Sequence, residues 1–98
     1  NILYAVRVGV ELGADVIKVP YTGNVASFRE IVATSPVPVV AAGGPKANTL
    51  LEALKLMDGA VEAGARGATI GRNIWGDPDP LAALHAFKRV IHDRVLPE

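Results

Sequence analysis

Three short apolar runs, each lying between stretches of helical spacing, restrict the fold of this chain more than any other feature. Residues 15–19 read Asp-Val-Ile-Lys-Val and are closed by Pro20, a short β-rich run that predicts a strand. Residues 37–42 predict a second strand, with Pro36 and Pro38 near its start, where a missing amide is best tolerated. Residues 67–71, Gly-Ala-Thr-Ile-Gly, predict a third, built of small residues. Apolar spacing over 2–12 fits a helix better than a strand, and Gly13 stops it. A short helix is expected over 27–34, with Phe28, Ile31 and Val32 facing inward. A long one is expected over 48–63, capped by Asn48 or Thr49, with Leu51, Leu54, Met57 and Val61 as its buried stripe and Gly64 at its end. Residues 72–76 read as a loop or helical turn. A last helix over 81–94 turns Leu84, Phe87, Val90 and Ile91 inward, with Pro80 suited to its first turn.

Strands alternating with helices imply parallel strands joined by right-handed crossovers. Three such strands with four helices make a poor complete domain, because an all-parallel sheet needs both faces covered and its edges managed. A (β/α)8 TIM barrel takes about 250 residues, or about 30 per βα unit. Three units in 98 residues therefore fit the C-terminal part of such an α/β barrel, with a small doubly wound sheet as the rival. The first residues, Asn1-Ile2-Leu3-Tyr4, carry neither an initiator Met nor a basic flank, and read as the middle of something longer. The Gly-Ala steps in GADVIKV and GARGATIG form a weak internal repeat, as any βα array would.

Composition narrows the function classes. Ten basic residues balance ten acidic ones, which argues against a broad electrostatic grip on nucleic acid or an anionic membrane. A local basic site for one small anion is compatible with that balance. The absence of cysteine excludes disulfides, thiolate metal sites and cysteine nucleophiles. No apolar run approaches the roughly 18 residues of a membrane span.

Three places can carry chemistry. Lys18 lies inside an apolar strand, sharing a face with Val16 while Ile17 and Val19 share the other. On an inward barrel face an ammonium is costly unless paired or deprotonated, and a neutral amine can attack a carbonyl to form a Schiff base. The alternative is a lysine at a strand end reaching solvent. The turn Ala42-Gly43-Gly44-Pro45-Lys46 follows the second strand, and its glycines let backbone amides approach an anion; the alternative is a plain tight turn. Gly71 and Arg72 follow the third strand, where an arginine can fork onto phosphate oxygens. The pair says more than either member, because barrels build phosphate sites on the loops after strands seven and eight. Weaker candidates are His85 and His92, read as solvated positions on one helix face, and Trp75, read as packing over the barrel end. Tyr21 is close enough to line the same end, with packing favoured over proton transfer. Asp77-Pro78-Asp79-Pro80 reads as a helix start.

Taken in order, ELGADVIKVPYTGNVASFREIV, PVPVVAAGGPK and GARGATIGRNIWGDPDPLAALHAFKRVIHD resemble the archaeal-type class I fructose-bisphosphate aldolases. They are equally similar to the related synthases that make an aminodideoxyheptulosonate. The resemblance runs from Glu11 to Asp93 and implies strands six to eight of a (β/α)8 barrel, residues 1–98 being the C-terminal portion of one aldolase domain. It implies that Lys18 is the Schiff-base lysine and that Ala42, Gly43, Gly44, Gly71 and Arg72 form the phosphate site. The implied reaction is reversible aldol cleavage of a phosphorylated ketose, with dihydroxyacetone phosphate held as an iminium and with no metal or cofactor. A cytoplasmic enzyme is expected, as a homo-oligomer or associated with the rest of its barrel. A transaldolase-like enzyme and a non-catalytic phosphate-binding barrel fragment are the alternatives. Two departures stand out. The family often has a hydroxyl residue where this chain has Ala42, and its proton-transfer tyrosine and aspartate lie on earlier strands, so Tyr21 does not match that tyrosine.

Overall fold

A computed structural model describes residues 2–44 and 47–96. In chain order the elements are α1 (Ile2–Glu11), β1 (Ile17–Pro20), α2 (Val25–Thr34), β2 (Val39–Ala42), α3 (Leu50–Glu62), β3 (Gly67–Thr69), α4 (Arg72–Trp75) and α5 (Pro80–Asp93). The three strands form one sheet in the order β1-β2-β3, with both pairs parallel. Lys18 stands opposite Val40, which stands opposite Gly67; Pro20, Ala42 and Thr69, two residues further on, make the next row of the same face toward the strand ends.

Local chemistry sets where the elements begin. Asn24 accepts a hydrogen bond from Ser27 N at 3.0 Å and caps α2, so that helix starts at Val25, two residues before the sequence expectation. Thr49 accepts from Glu52 N at 3.1 Å and is the cap of α3. Asp79 accepts from Ala82 N at 3.2 Å and caps α5, with Pro80 opening its first turn. The second strand starts at Val39 rather than residue 37, because neither Pro36 nor Pro38 has an amide to give the ladder. Residues 72–76 resolve into the helical turn α4, closed by Gly76.

Alternation along the strands divides the sheet into two unlike faces. Ile17, Val19, Val39 and Ala41 are buried and join one core with Val6 of α1, Phe28 and Ile31 of α2, Leu54 and Met57 of α3, and Phe87 and Val90 of α5. Lys18 and Pro20 on the other face are exposed, and Val40 and Ala42 only half-buried. The helices thus cover one face, whereas a doubly wound sheet carries them on both. Each fully buried Leu, Val or Phe contributes about 1.5–3 kcal/mol from leaving water, so this single-sided core is what holds the strands in register. Among the described residues no helix is long and apolar enough to cross a membrane.

Two of the expected helix stripes are rotated. On α3 the buried residues are Ala53, Leu54, Met57 and Ala60, while Leu51 is exposed and Val61 half-buried. On α5 they are Ala83, Phe87 and Val90, while Leu84 is exposed and Ile91 half-buried. The two helices pack against each other, and on each of them alanines take buried positions while Leu51 and Leu84 fall outside the buried stripe. α5 ends on Arg94, left-handed at φ 59°, whose guanidinium donates to Asp58 Oδ1 at 2.9 and 3.2 Å and ties the helix end to α3.

Candidate functional site

The parallel strands point their carboxyl ends the same way, so the chain segments that follow them gather at one end of the sheet. In sheets of this kind, ligands bind at that end. Lys18 lies on the uncovered face, one row before Pro20. Its face is the one opposite the helices, and the side chain is exposed. With about 3.3 Å per residue along a strand and about 4.8 Å between strands, its Cα lies ~8 Å from that of Ala42. An extended lysine spans most of that gap.

The ends of β2 and β3 are drawn tightly together. Gly43 N donates to Thr69 O at 2.7 Å. A Cβ on Gly43 would stand 3.0 Å from Ile70 Cα and 3.2 Å from Thr69 O, a contact with backbone that cannot swing away. The close approach of the neighbouring strand therefore favours glycine at 43. Its amide is engaged by the Thr69 carbonyl. Gly44 follows in the left-handed region at φ 70°, a conformation that glycine adopts without strain. Pro45 and Lys46, the rest of the expected turn, lie outside the described residues. Gly71 and Arg72 begin the short helix α4, and Arg72 is exposed.

Asn73, to which no role follows from the sequence, is the buried polar side chain of this region at 7 % exposure. Its Oδ1 accepts from Ala47 N at 2.7 Å and its Nδ2 donates to Gly43 O at 3.3 Å. One carboxamide thus bonds to both sides of the turn after β2 from a position just after β3. Leaving either buried group unpaired would cost about 1–3 kcal/mol. The clue in the sequence was a polar residue followed by Ile74 within an otherwise small-residue segment; nothing in the spacing identified its partners.

The other candidates lie apart. Tyr21 turns away from Lys18 and packs edge-to-face on Phe28, with ring centres 5.2 Å apart and planes at 76°. Its hydroxyl sits against Gly59 of α3, where a Cβ would come within 2.6 Å, which explains a glycine inside that helix. Burial, and then the charge of Glu62, raise the Tyr21 pKa above its ordinary 10.0. A depression of about 570 Å³ lined by Tyr21, Lys55, Asp58, Gly59 and Glu62 accompanies this packing and does not include Lys18 or Arg72. Trp75 is 77 % exposed rather than packed, because its helix is a single turn; its indole Nε1 stands 3.9 Å from where a Gly71 Cβ would lie. His85 and His92 are exposed on α5, as expected. Among the described residues no three His, Asp or Glu side chains gather as a metal site would require.

Comparison with known proteins bears on this arrangement. Residues 1–77 match the family model described as DeoC/LacD family aldolase. The 2-amino-4,5-dihydroxy-6-oxo-7-(phosphonooxy)heptanoate synthase of Streptomyces griseus is 44% identical over 92 residues, covering 94% of this chain and 34% of the synthase. The class 1 fructose-bisphosphate aldolase of Thermoproteus tenax is 40% identical over 92 residues, covering 93% of this chain and 35% of that enzyme. A solved structure of a Schiff base-forming fructose-1,6-bisphosphate aldolase superposes with a TM-score of 0.90 at 40% identity, covering 93% of this chain and 37% of that one. The chain thus spans about a third of the length of the curated relatives it matches.

Proposed function

The chain belongs to the DeoC/LacD family of aldolases, and we propose that residues 1–98 are the C-terminal portion, about strands six to eight, of a (β/α)8 barrel that acts as a Schiff-base aldolase on a phosphorylated ketose. The observation that carries this reading is the shared end of one uncovered face: Lys18 one row from the end of β1, with two glycine-bearing strand ends beside it. Similarity to a Schiff base-forming aldolase over 93% of the chain supports it. In a closed barrel the edges of β1 and β3 pair with the remaining strands, and the uncovered face lines the interior.

In this reading the Lys18 amine adds to the ketone carbon of the substrate. Loss of water leaves an imine, and its protonation gives an iminium. In the cleavage direction a base takes the proton of the C4 hydroxyl, the C3–C4 bond breaks, and C4 departs as an aldehyde. The electron pair of that bond moves into the iminium and forms an enamine. Protonation at C3 and hydrolysis by water then release dihydroxyacetone phosphate and regenerate Lys18. The base and acid come from strands outside these residues. Gly44, Gly71 and Arg72 hold the phosphate, Gly43 sets the distance between the two strand ends, and Ala42 contributes backbone alone. The reaction needs no metal because the iminium is the electron sink.

The test is borohydride trapping with dihydroxyacetone phosphate, read by intact mass and peptide mapping. An adduct on Lys18 is expected; a folded, intact protein that gives none would sink the assignment. The 44% identity to the Streptomyces griseus synthase favours a second reading within the same chemistry, in which the Lys18 enamine of dihydroxyacetone phosphate attacks the carbonyl of an aldehyde carrying an amino-acid end, and water then hydrolyses the resulting iminium to release a 2-amino-4,5-dihydroxy-6-oxo-7-(phosphonooxy)heptanoate. Turnover with fructose 1,6-bisphosphate separates the two.

A further inference from the structure

We infer that Asn73 is a positioning residue that sets the spacing between the two halves of the phosphate site; the inference rests on the reading above. Three observations carry it. Asn73 is buried although it follows the exposed Arg72 directly. Both ends of its carboxamide are engaged by backbone groups of the turn after β2: Ala47 N on one side and Gly43 O on the other, 26 and 30 residues away in sequence. The Gly43 N to Thr69 O bond latches the same two strand ends one step earlier.

The consequence is geometric. Gly71 and Arg72 are the two residues immediately before Asn73, and Gly44 is immediately after Gly43. A side chain that fixes Gly43 and Ala47 relative to residue 73 therefore fixes Gly44 relative to Gly71 and Arg72. A phosphate held from both sides needs that distance held to a fraction of an ångström, because its hydrogen bonds weaken steeply with length and angle. An asparagine suits this task because it offers one acceptor and one donor from a single planar group. Alanine offers neither, and serine cannot reach both partners. Asn73 itself does not touch the substrate in this scheme.

The experiment uses Asn73→Ala and Asn73→Ser in the intact protein, with borohydride trapping followed against the concentration of dihydroxyacetone phosphate and, separately, of dihydroxyacetone. Both variants are expected to raise the half-saturating concentration of the phosphorylated ketone about tenfold, the size of effect that losing one well-placed polar contact produces. The rate at saturation and the trapping of unphosphorylated dihydroxyacetone are expected to stay within about twofold of the parent. Equal losses with both ketones, or no change with either, would overturn the inference, as would failure of both variants to fold by circular dichroism, which would make Asn73 a folding residue. Titration calorimetry with inorganic phosphate reads the same residue without the imine: weaker binding by the variants supports the inference even where the parent forms no adduct and the aldolase reading fails. A parent protein that binds no phosphate overturns both.

Discussion

The two faces of the sheet are built from alternate residues of the same three strands, yet they carry different kinds of information. Ile17, Val19, Val39 and Ala41 face the helices and disappear into one core with Phe28, Leu54, Met57 and Phe87. Lys18, Pro20, Val40 and Ala42 face the other way and are exposed or half-buried. A one-residue shift separates a lysine in a dry core from a lysine free to meet a ligand. The covered face can be explained by burial alone. The uncovered face cannot, since it holds a cation where an apolar residue would serve the sheet as well. Stability and chemistry are thus assigned to opposite sides of one pleat, and substitutions on the two sides should have opposite signatures.

The largest expected effect breaks chemistry alone. Lys18→Ala in the intact protein is expected to abolish borohydride-trapped adduct while shifting unfolding by no more than about 0.5 kcal/mol, as for other exposed substitutions. Substantial trapping in that variant would remove Lys18 from its role. A large loss of stability would instead mean that the uncovered face is structural. The converse is Phe28→Ala. Phe28 is fully buried, and its ring supports Tyr21. Its truncation is expected to cost about 3–5 kcal/mol by urea unfolding, with trapping on Lys18 retained under conditions where the variant stays folded. If neither signature separates from the other, the division into two faces is wrong.

Gly43→Ala falls between them, where the two faces end in a common turn. A Cβ there meets the backbone of Ile70 and Thr69 at 3.0 and 3.2 Å. The strand ends must part, at a cost of about 1–3 kcal/mol for an overpacked site. Because parting them also moves Gly44 away from Gly71, affinity for dihydroxyacetone phosphate is expected to fall in the same variant. A stability loss with unchanged affinity would show that the close approach of β2 and β3 serves the sheet and not the anion.

What the sequence made legible follows the same division. The strands were readable as short apolar or small-residue runs bounded by Pro and Gly, and the long helices because apolar residues repeat at a period of 3.6; Thr49 and Pro80 mark helix starts by side-chain chemistry. The helix stripes were misjudged at Leu51 and Leu84, because alanine is at home in a core or on a surface and gives no periodic signal; Ala53, Ala60 and Ala83 carried the true phase. The identity of the face bearing Lys18 followed from alternation, but its exposure depends on what covers it, which no local pattern states. Asn73 was passed over for a different reason. It bonds to backbone groups 26 and 30 residues away, and backbone groups are the same in every residue, so no spacing or residue type announces those bonds. The glycine at 59 was equally silent until Tyr21 was seen lying against it.

The smallest expected effect concerns Tyr21, the residue that follows Pro20 at the border between the faces. Its ring packs on Phe28, and its hydroxyl lies against Gly59. Burial and then Glu62 raise its pKa above 10.0, so the folded state holds the phenolic proton more tightly than the unfolded chain does. The sign follows from linkage: this contribution to stability is fully present below pH 10 and is lost as pH rises through the folded pKa. Urea midpoints measured from pH 8 to 12 should therefore fall more steeply in the parent than in Tyr21→Phe, with the two curves differing in slope only above about pH 10. Trapping on Lys18 should be the same in both, because the ring belongs to the packed side. Parallel curves would mean that the hydroxyl is effectively in water. A loss of trapping in Tyr21→Phe would carry Tyr21 across the border to the chemical face, and would require its side chain to swing off Phe28 when the substrate binds.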